Sequence, residues 1–297
     1  MAFAVSVVIL THRRDSALSA TIARLASSID PTCIQLLLVD NNADGVDRSA
    51  ALEAFPNAVY INEKYNMGVT AGRNRAIRDA TGDVILFLDD DALLEVGGDF
   101  HSDLLSMFEK DDRLGVVAFR SFVGKNRVEE DKEFPHTDKS LDRSKGFDTF
   151  RFIGVAHAIR RSLLKETGLY CPSFFYGMEE FDLAFRFLKL GYRIEYRPDF
   201  KVQHMKSESG RLSSSAVVQR MYTNKLAVGW MHLPFGVFVK SATAWFLKTL
   251  LDSRNPLTPL RSIGDFLAMA SHGQIEPRRP SQALVAEIRR LGGTPWR

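Results

Sequence analysis

The chain has 297 residues, 45% of them apolar and 25% charged, enough to bury the core of one large domain or of a domain with an appendage. Its 39 Lys and Arg stand against 36 Asp and Glu, and a net charge of only +3 excludes an electrostatic footprint on the scale of nucleic-acid binding. The two cysteines, Cys33 and Cys171, have neither C-x-x-C spacing nor a ring of histidines around them, which excludes a disulfide framework or zinc site and predicts reduced thiols in a cytoplasmic protein.

The N-terminus runs Met1-Ala2-Phe3-Ala4-Val5 straight into an apolar stretch, with no basic segment before it, and reads as a first strand rather than a signal peptide. Short runs rich in Val, Ile and Leu follow at Val5 to Leu10, Ile34 to Val39, Ala58 to Ile61, Val84 to Leu88 and Val116 to Phe119. Runs of this kind predict strands buried on both faces of a largely parallel sheet. Leu18, Ile22 and Leu25 share one helical face between the first two runs, and a second helix is predicted from Ser49 to Phe55. The order βαβαβ predicts a doubly wound α/β domain whose ligands gather where the strands end.

From Gly124 to Asp148 the composition turns to Lys-Asn-Arg-Val-Glu-Glu-Asp-Lys-Glu and predicts a solvated, mobile loop, either a surface insertion or a loop that orders over an acceptor. Order resumes at Phe150 to Ile159, and an amphipathic helix is predicted from Glu180 to Leu190, closed by Gly191. Phe181, Ala184, Phe185 and Leu188 form its inner face, with Asp182 and Arg186 as an i, i+4 pair. Leu226 to Leu251 is rich in Leu, Phe, Trp and Val, but Gly229, His232, Pro234, Gly236, Lys240 and Lys248 interrupt it too often for a membrane span. Two readings stand: a helical pair packed on the main domain, or aromatic residues lying along a bilayer interface.

The sharpest chemical feature is Asp89-Asp90-Asp91 at the end of a buried strand. Three adjacent carboxylates repel one another unless a cation compensates them, and hard oxygen ligands call for Mg²⁺ or Mn²⁺ bridging the phosphates of a nucleotide. Asp40-Asn41-Asn42 ends another strand, where a carboxylate can accept hydrogen bonds from a base or ribose and where the same residues make good turn chemistry. In Asn66-Met67-Gly68-Val69-Thr70-Ala71-Gly72-Arg73-Asn74-Arg75 two glycines open a helix, a place that favours phosphate, with Arg73 and Arg75 as charge-assisted partners. The P-loop and dinucleotide fingerprints are absent from it. Glu179 and Glu180 stand at the start of the amphipathic helix, as dipole partners or as a general base. His204 follows Lys201-Val202-Gln203 as a candidate metal ligand or a structural histidine.

Together these segments resemble family 2 glycosyltransferases of the GT-A fold. The matching pieces are Val-Val-Ile-Leu-Thr-His-Arg-Arg, Leu-Leu-Val-Asp-Asn-Asn, Asn-Met-Gly-Val-Thr-Ala-Gly-Arg-Asn, Phe-Leu-Asp-Asp-Asp-Ala, Met-Glu-Glu-Phe-Asp-Leu-Ala-Phe-Arg and Val-Gln-His, in the family's order from about residue 5 to 205. The resemblance implies a Rossmann-like, mixed but mostly parallel sheet flanked by helices. Residues 1–210 would form the catalytic domain: a nucleotide half to about 120, the mobile loop at about 124–148 and an acceptor half at about 150–210. A C-terminal helical extension would occupy 211–297.

For the site, the resemblance implies that Asp40 contacts the base, that Asp89 and Asp91 form a D-x-D motif, and that Asp89, Asp91 and His204 hold Mg²⁺ or Mn²⁺. Thr11, Arg13, Asn66, Gly68 and Asp90 would lie along the nucleotide sugar, with Arg73 and Asn74 near its ribose or phosphates. Where many members carry Glu-Asp, this chain carries Glu179-Glu180, and Glu180 is favoured as the base. The implied activity is inverting transfer from a UDP- or dTDP-sugar to a hydroxyl of a glycan or lipid-linked acceptor. The likeness extends to bacterial rhamnosyl- and galactofuranosyltransferases of surface polysaccharide synthesis, which implies cytoplasmic work with peripheral membrane contact through about 226–251 at the inner face. The competing reading from outside enzymology is a nucleotide-sugar-binding or scaffolding protein of the same fold without turnover.

Overall fold

A computed structural model describes residues 4–207, 209–210 and 213–296. Met1 to Phe3 of the expected first run and Arg211, where the expected extension begins, lie outside the described residues. The first half winds as its apolar runs predict. Strands β1 (Val5–Thr11), β2 (Ile34–Asp40), β3 (Val59–Asn62) and β4 (Val84–Asp89) pair in parallel in the order β3-β2-β1-β4. Helices α1 (Asp15–Ser28) and α2 (Gly68–Asp79) connect them. Every residue of β2 is buried, because both faces of the sheet are covered. Val8 of β1 faces one apolar core while Val7 and Ile9 face the other, as the two-residue period of a strand requires.

Beyond β4 the sheet becomes mixed. Strands β5 (Ala92–Glu95), β6 (Leu114–Val123), β7 (Phe147–Thr149), β8 (Ala156–Arg160) and β9 (Arg193–His204) extend it in the order β4-β8-β6-β9-β5, with β7 beside β9. The pairs β4–β8, β6–β8, β5–β9 and β7–β9 are antiparallel, while β6–β9 is parallel. Helices α3 (Phe100–Lys110), α4 (Arg161–Thr167) and α5 (Glu179–Lys189) flank this half. The C-terminal region is helical throughout its described regular elements, α6 (Ser214–His232), α7 (Phe235–Ser253), α8 (Leu257–Ser271) and α9 (Gln282–Arg290), and the stretch Leu226 to Leu251 falls on the packed pair α6 and α7. No helix among the described residues is long and apolar enough to cross a membrane.

Two segments depart from the sequence expectations. Ser49 to Phe55 forms only a 3-10 turn at Ser49–Leu52, because Pro56 disfavours helical backbone at Phe55 and leaves too few residues to offset helix nucleation. Leu52 and Phe55 still point into the core. The polar segment from Gly124 to Asp148 is not wholly solvated: Phe134 and His136 are buried, and Phe134 packs edge-on against Tyr196 and Phe147. A charged composition hid the aromatic anchors, Phe134 and Phe147, that tie this segment to Tyr196 of β9.

One glycine shows how tightly the layers meet. The Gly82 N–H donates to Ser6 Oγ at 2.8 Å, and a Cβ on Gly82 would come within 2.4 Å of the Ser6 backbone nitrogen. Backbone cannot yield there as a flexible side chain would. Gly82→Ala is expected to cost about 1–3 kcal/mol or more, read as a lower urea midpoint; an unchanged midpoint would show that β1 and β4 can part without penalty.

Candidate functional site

The site forms where β1, β2, β4 and β9 end. Asp89 closes β4, and the antiparallel pairing of β5 with β9 sets Ala92 opposite His204, which delivers Asp91 to the same place. Ligand atoms of Asp89, Asp91 and His204 lie within 4.8 Å of one another. Asp91 Oδ1 is buried without a hydrogen-bond partner and lies 3.3 Å from His204 Nε2, while its Oδ2 accepts from the Ser207 N–H at 2.8 Å. An orphaned buried oxygen beside a second carboxylate and an imidazole fits a divalent cation of the Mg²⁺ or Mn²⁺ kind.

The surroundings set the charges. Desolvation in the cleft pushes Asp89 up to about 6, with Arg73 opposing and Asp91 reinforcing the shift. Burial works against protonated His204, but the close carboxylates of Asp91 and Glu133 outweigh it and push the imidazole up to about 10. Glu133 contacts His204 Nδ1 at 2.8 Å and also accepts from Ser121 Oγ. Thus the segment expected to be a loose loop supplies the carboxylate that orients the candidate ligand, the arrangement that fixes a metal-binding imidazole.

The middle aspartate does something else. Asp90 points into the core, where Thr11 Oγ1 and Arg14 Nη1 both donate to it at 2.8 Å and the Thr21 hydroxyl holds its carbonyl. Asp90 and Thr11 are thus bonded to each other in the interior, with both Asp90 carboxylate oxygens occupied by partners of this chain. Arg14, which also reaches Asp91 at 3.3 Å, is the residue of the Thr-His-Arg-Arg run whose side chain pairs with the aspartate cluster, and the sequence reading did not single it out. Arg13 is exposed, with its N–H bonded to Asn42 Oδ1.

Asp40 is fully buried, and five donors occupy its carboxylate: the Asn42 backbone and amide, Tyr60, Arg48 and Asn62. In this arrangement it offers no free oxygen to a base and instead shapes the end of β2. Neither Tyr60 nor Arg48 carried a sequence signal.

The glycine-rich entry of α2 also serves a different partner. Gly68 has a left-handed φ of +77, and a Cβ there would meet Phe175 at 2.6 Å. Asn66 Oδ1 accepts from the Gly68 N–H, Thr70 Oγ1 donates to the Phe174 carbonyl at 2.6 Å, and Asn74 both donates to and accepts from the Tyr170 backbone. The close approach predicted for phosphate is thus made to the chain at 170–175. Asn66, Gly68 and Asn74 clamp that chain, and Arg75 turns outward to Glu63 and Asp79.

Arg73 alone of this group enters the site, and it is buried there. Its guanidinium lies 3.4 Å from Asp89, 3.2 Å from Glu180 and 3.7 Å from Glu179, and it donates to the Gly154 carbonyl at 3.0 Å. Glu179 is buried with Oε2 unpartnered, and desolvation together with repulsion from Glu180 pushes it up to about 8. Glu180 is the more open of the two. Both follow Met178, a buried non-glycine residue at φ +69 whose left-handed backbone turns the chain into α5.

Behind the glutamates, Asp182 is fully buried and pairs with Arg186 at 2.7 Å and His232 Nε2 at 2.8 Å, with Lys189 at the other ring nitrogen. Burial would raise the Asp182 pKa, but Arg186 and His232 hold it below its ordinary value. A depressed folded pKa contributes stability above pH ~4 that is lost as pH falls through the folded value. Asp182→Asn should therefore lose about 3–5 kcal/mol at pH 7, with the gap to the parent narrowing in acid. Urea unfolding at pH 7 and pH 3 measures this, and an equal gap at both would mean the carboxylate charge is not what matters.

Comparison with known proteins adds the lineage. The family model for glycosyl transferase family 2 matches residues 6–168. An uncharacterized protein of Haemophilus influenzae is 33% identical over 140 residues, covering 46% of this chain and 76% of that protein. N-acetylgalactosaminyltransferase 7 of Drosophila melanogaster is 26% identical over 233 residues, 67% of this chain, and the chain spans only 39% of that enzyme's length. Among solved structures, GalNAc-T7 with UDP, GalNAc and Mn²⁺ superposes with a TM-score of 0.61 at 15% identity, covering 93% of this chain and 59% of that one.

Proposed function

The chain belongs to glycosyl transferase family 2, and on that premise we propose that it moves a sugar from a nucleotide diphosphate donor, a UDP- or dTDP-sugar, to an acceptor hydroxyl with inversion at the anomeric carbon. The observation that carries this reading is the bridge made by Arg73: one guanidinium touches Asp89 at 3.4 Å on one side and Glu180 at 3.2 Å on the other. A single displacement needs a stabilised leaving group on one face of the sugar and a base on the other, and Arg73 holds groups suited to both at a fixed separation.

In this reading Asp89, Asp91 and His204 hold Mg²⁺ or Mn²⁺, which when bound neutralises charge on the departing diphosphate. The nucleotide takes the crevice beyond the ends of β1, β2 and β4. Glu180 removes the acceptor proton as that oxygen attacks. Burial and repulsion from Glu180 push the Glu179 pKa up to about 8, which disfavours its charged form, and Glu180 is the more open of the two. Arg73 keeps that carboxylate aimed, and the Asn74 and Thr70 clamp on the preceding chain holds the turn that carries it. The acceptor class that accompanies this reading is a glycan or lipid-linked hydroxyl used in surface polysaccharide synthesis at the cytoplasmic face of the membrane.

Two measurements bear on it. Release of nucleoside diphosphate from a panel of UDP- and dTDP-sugars should need Mn²⁺ or Mg²⁺, and Asp91→Asn should abolish the metal-dependent part of donor binding; binding that persists unchanged in EDTA overturns the metal assignment. Glu180→Gln should leave donor affinity nearly intact while lowering transfer by about 10²–10⁴-fold. Transfer retained in that variant moves the role to Glu179, and donor binding without any turnover by the parent protein favours the non-catalytic alternative.

A further inference from the structure

Helix α7 is apolar on its outer side as well as its inner one, where Val237, Phe238, Ala242, Trp245 and Phe246 pack against the core. Its buried residues are Ser241 and Thr249, while Phe235, Val239, Leu247 and Leu251 are exposed by 65%, 43%, 55% and 75%. A surface helix ordinarily turns its apolar stripe inward. On α8, Leu257, Leu260 and Leu267 are likewise more than half exposed. Of the twelve large apolar side chains exposed among the described residues, these two consecutive helices carry seven, and the other five are scattered singly. Exposed apolar side chains concentrated in this way on two helices that pack against each other mark a surface that is covered in use.

Four basic residues and two acids are exposed along these helices, and both acids are already bonded within the chain. Exposed Lys240 sits among the apolar residues of α7, Lys248 and Asp252 pair with each other, and Arg254 and Arg261 lie where α7 gives way to α8. Lys240, Arg254 and Arg261 have no carboxylate within 4.0 Å among the described residues, and the one acid of α8, Asp265, is bonded to Gln219. If two copies met through this face, each patch would face its own image and the lysine and arginine cations would meet like charges. An anionic lipid surface supplies both an apolar layer for the leucines and counter-charge for the basic residues.

We propose that α7 and α8 form a monotopic membrane-docking face that lies flat on an anionic bilayer, with the 19 residues of α7, about 28 Å of helix, along the interface. Phe235, Val239, Leu247 and Leu251 enter the acyl boundary, and Lys240 and Arg254 stay at headgroup level as long basic side chains do. The face is one helix layer from the candidate base. Both α7 and α8 pack on α6, and Asn224 of α6 donates to the Tyr176 and Gly177 carbonyls immediately before Met178 and Glu179. Docking therefore sets the turn that carries the candidate base one helix layer from the membrane. That last consequence rests on the glycosyl-transfer reading, whereas the docking itself does not.

The test is flotation of the full chain with vesicles of phosphatidylcholine alone or with roughly a third phosphatidylglycerol, beside donor hydrolysis measured in solution without vesicles. The expected result is co-flotation with the anionic vesicles only, weakened by salt. Leu247→Ser with Leu251→Ser should reduce it at least about tenfold, Lys240→Glu should also reduce it, and neither variant should change donor hydrolysis or thermal stability. No flotation, equal flotation with neutral vesicles, or a parent dimer that Leu251→Ser makes monomeric would each overturn the proposal. Because hydrolysis is read separately, loss of turnover with flotation intact counts against the transferase reading alone.

Discussion

A buried guanidinium organises this molecule. Arg73 lies among Asp89, Glu179 and Glu180, over the rings of Tyr170 and Phe87, with the Gly154 carbonyl completing its partners. Burying a charge is costly unless charge-assisted hydrogen bonds offset the lost solvation, so each of these groups must be in place for the site to close. The constraint is mutual. Without Arg73 the acids would crowd one another in a low-dielectric pocket, and without the acids the arginine could not be there.

That constraint explains features scattered along the chain. A Cβ at Gly154 would fall 2.3 Å from Glu180 Oε1 and 3.3 Å from the arginine itself, so a side chain there would push the Glu180 carboxylate from its present place beside Arg73. The first turns of α2 grip the chain at 170–175 so that Met178 can take its left-handed turn and deliver both glutamates to one cation. On the far side, the β5–β9 pairing brings His204 to Asp91, and Glu133 reaches in to orient it. The candidate metal ligands and the candidate base thus hang from different elements, joined through the Arg73 side chain.

The C-terminal helices belong to this machinery as a support. Asp182 and His232 join α5 to α6 through a fully buried pair, Asn224 holds the turn before α5, and α9 packs Leu284, Val285 and Ile288 into the same core. A helix end that carries catalytic candidates is held rigid from behind, as a preorganised site requires. The same helices turn an apolar, basic surface outward, so support and docking face are two sides of one layer.

Periodicity in the sequence was enough for the parallel half of the sheet, since Val5 to Leu10, Ile34 to Val39 and Val84 to Leu88 can be satisfied only by strands covered on both sides. Residue chemistry was enough to single out Asp89, Asp91, His204 and the glutamate pair, because carboxylates gathered beside a buried strand need a cation to balance them. Direction was not legible. Neighbours in sequence point to opposite faces of a strand end, so Asp90 became a strut while Asp89 and Asp91 face the cleft, and Asn74 became a clamp beside Arg73. Nor could local pattern reveal partners far along the chain: Glu133 for His204, Phe175 for Gly68, His232 for Asp182. Sequence alone determined which groups must be compensated, because charge and hydrophobicity are properties of residues. Only the tertiary structure decided what compensates them, because a buried charge is satisfied by whatever the packing brings within a few ångströms.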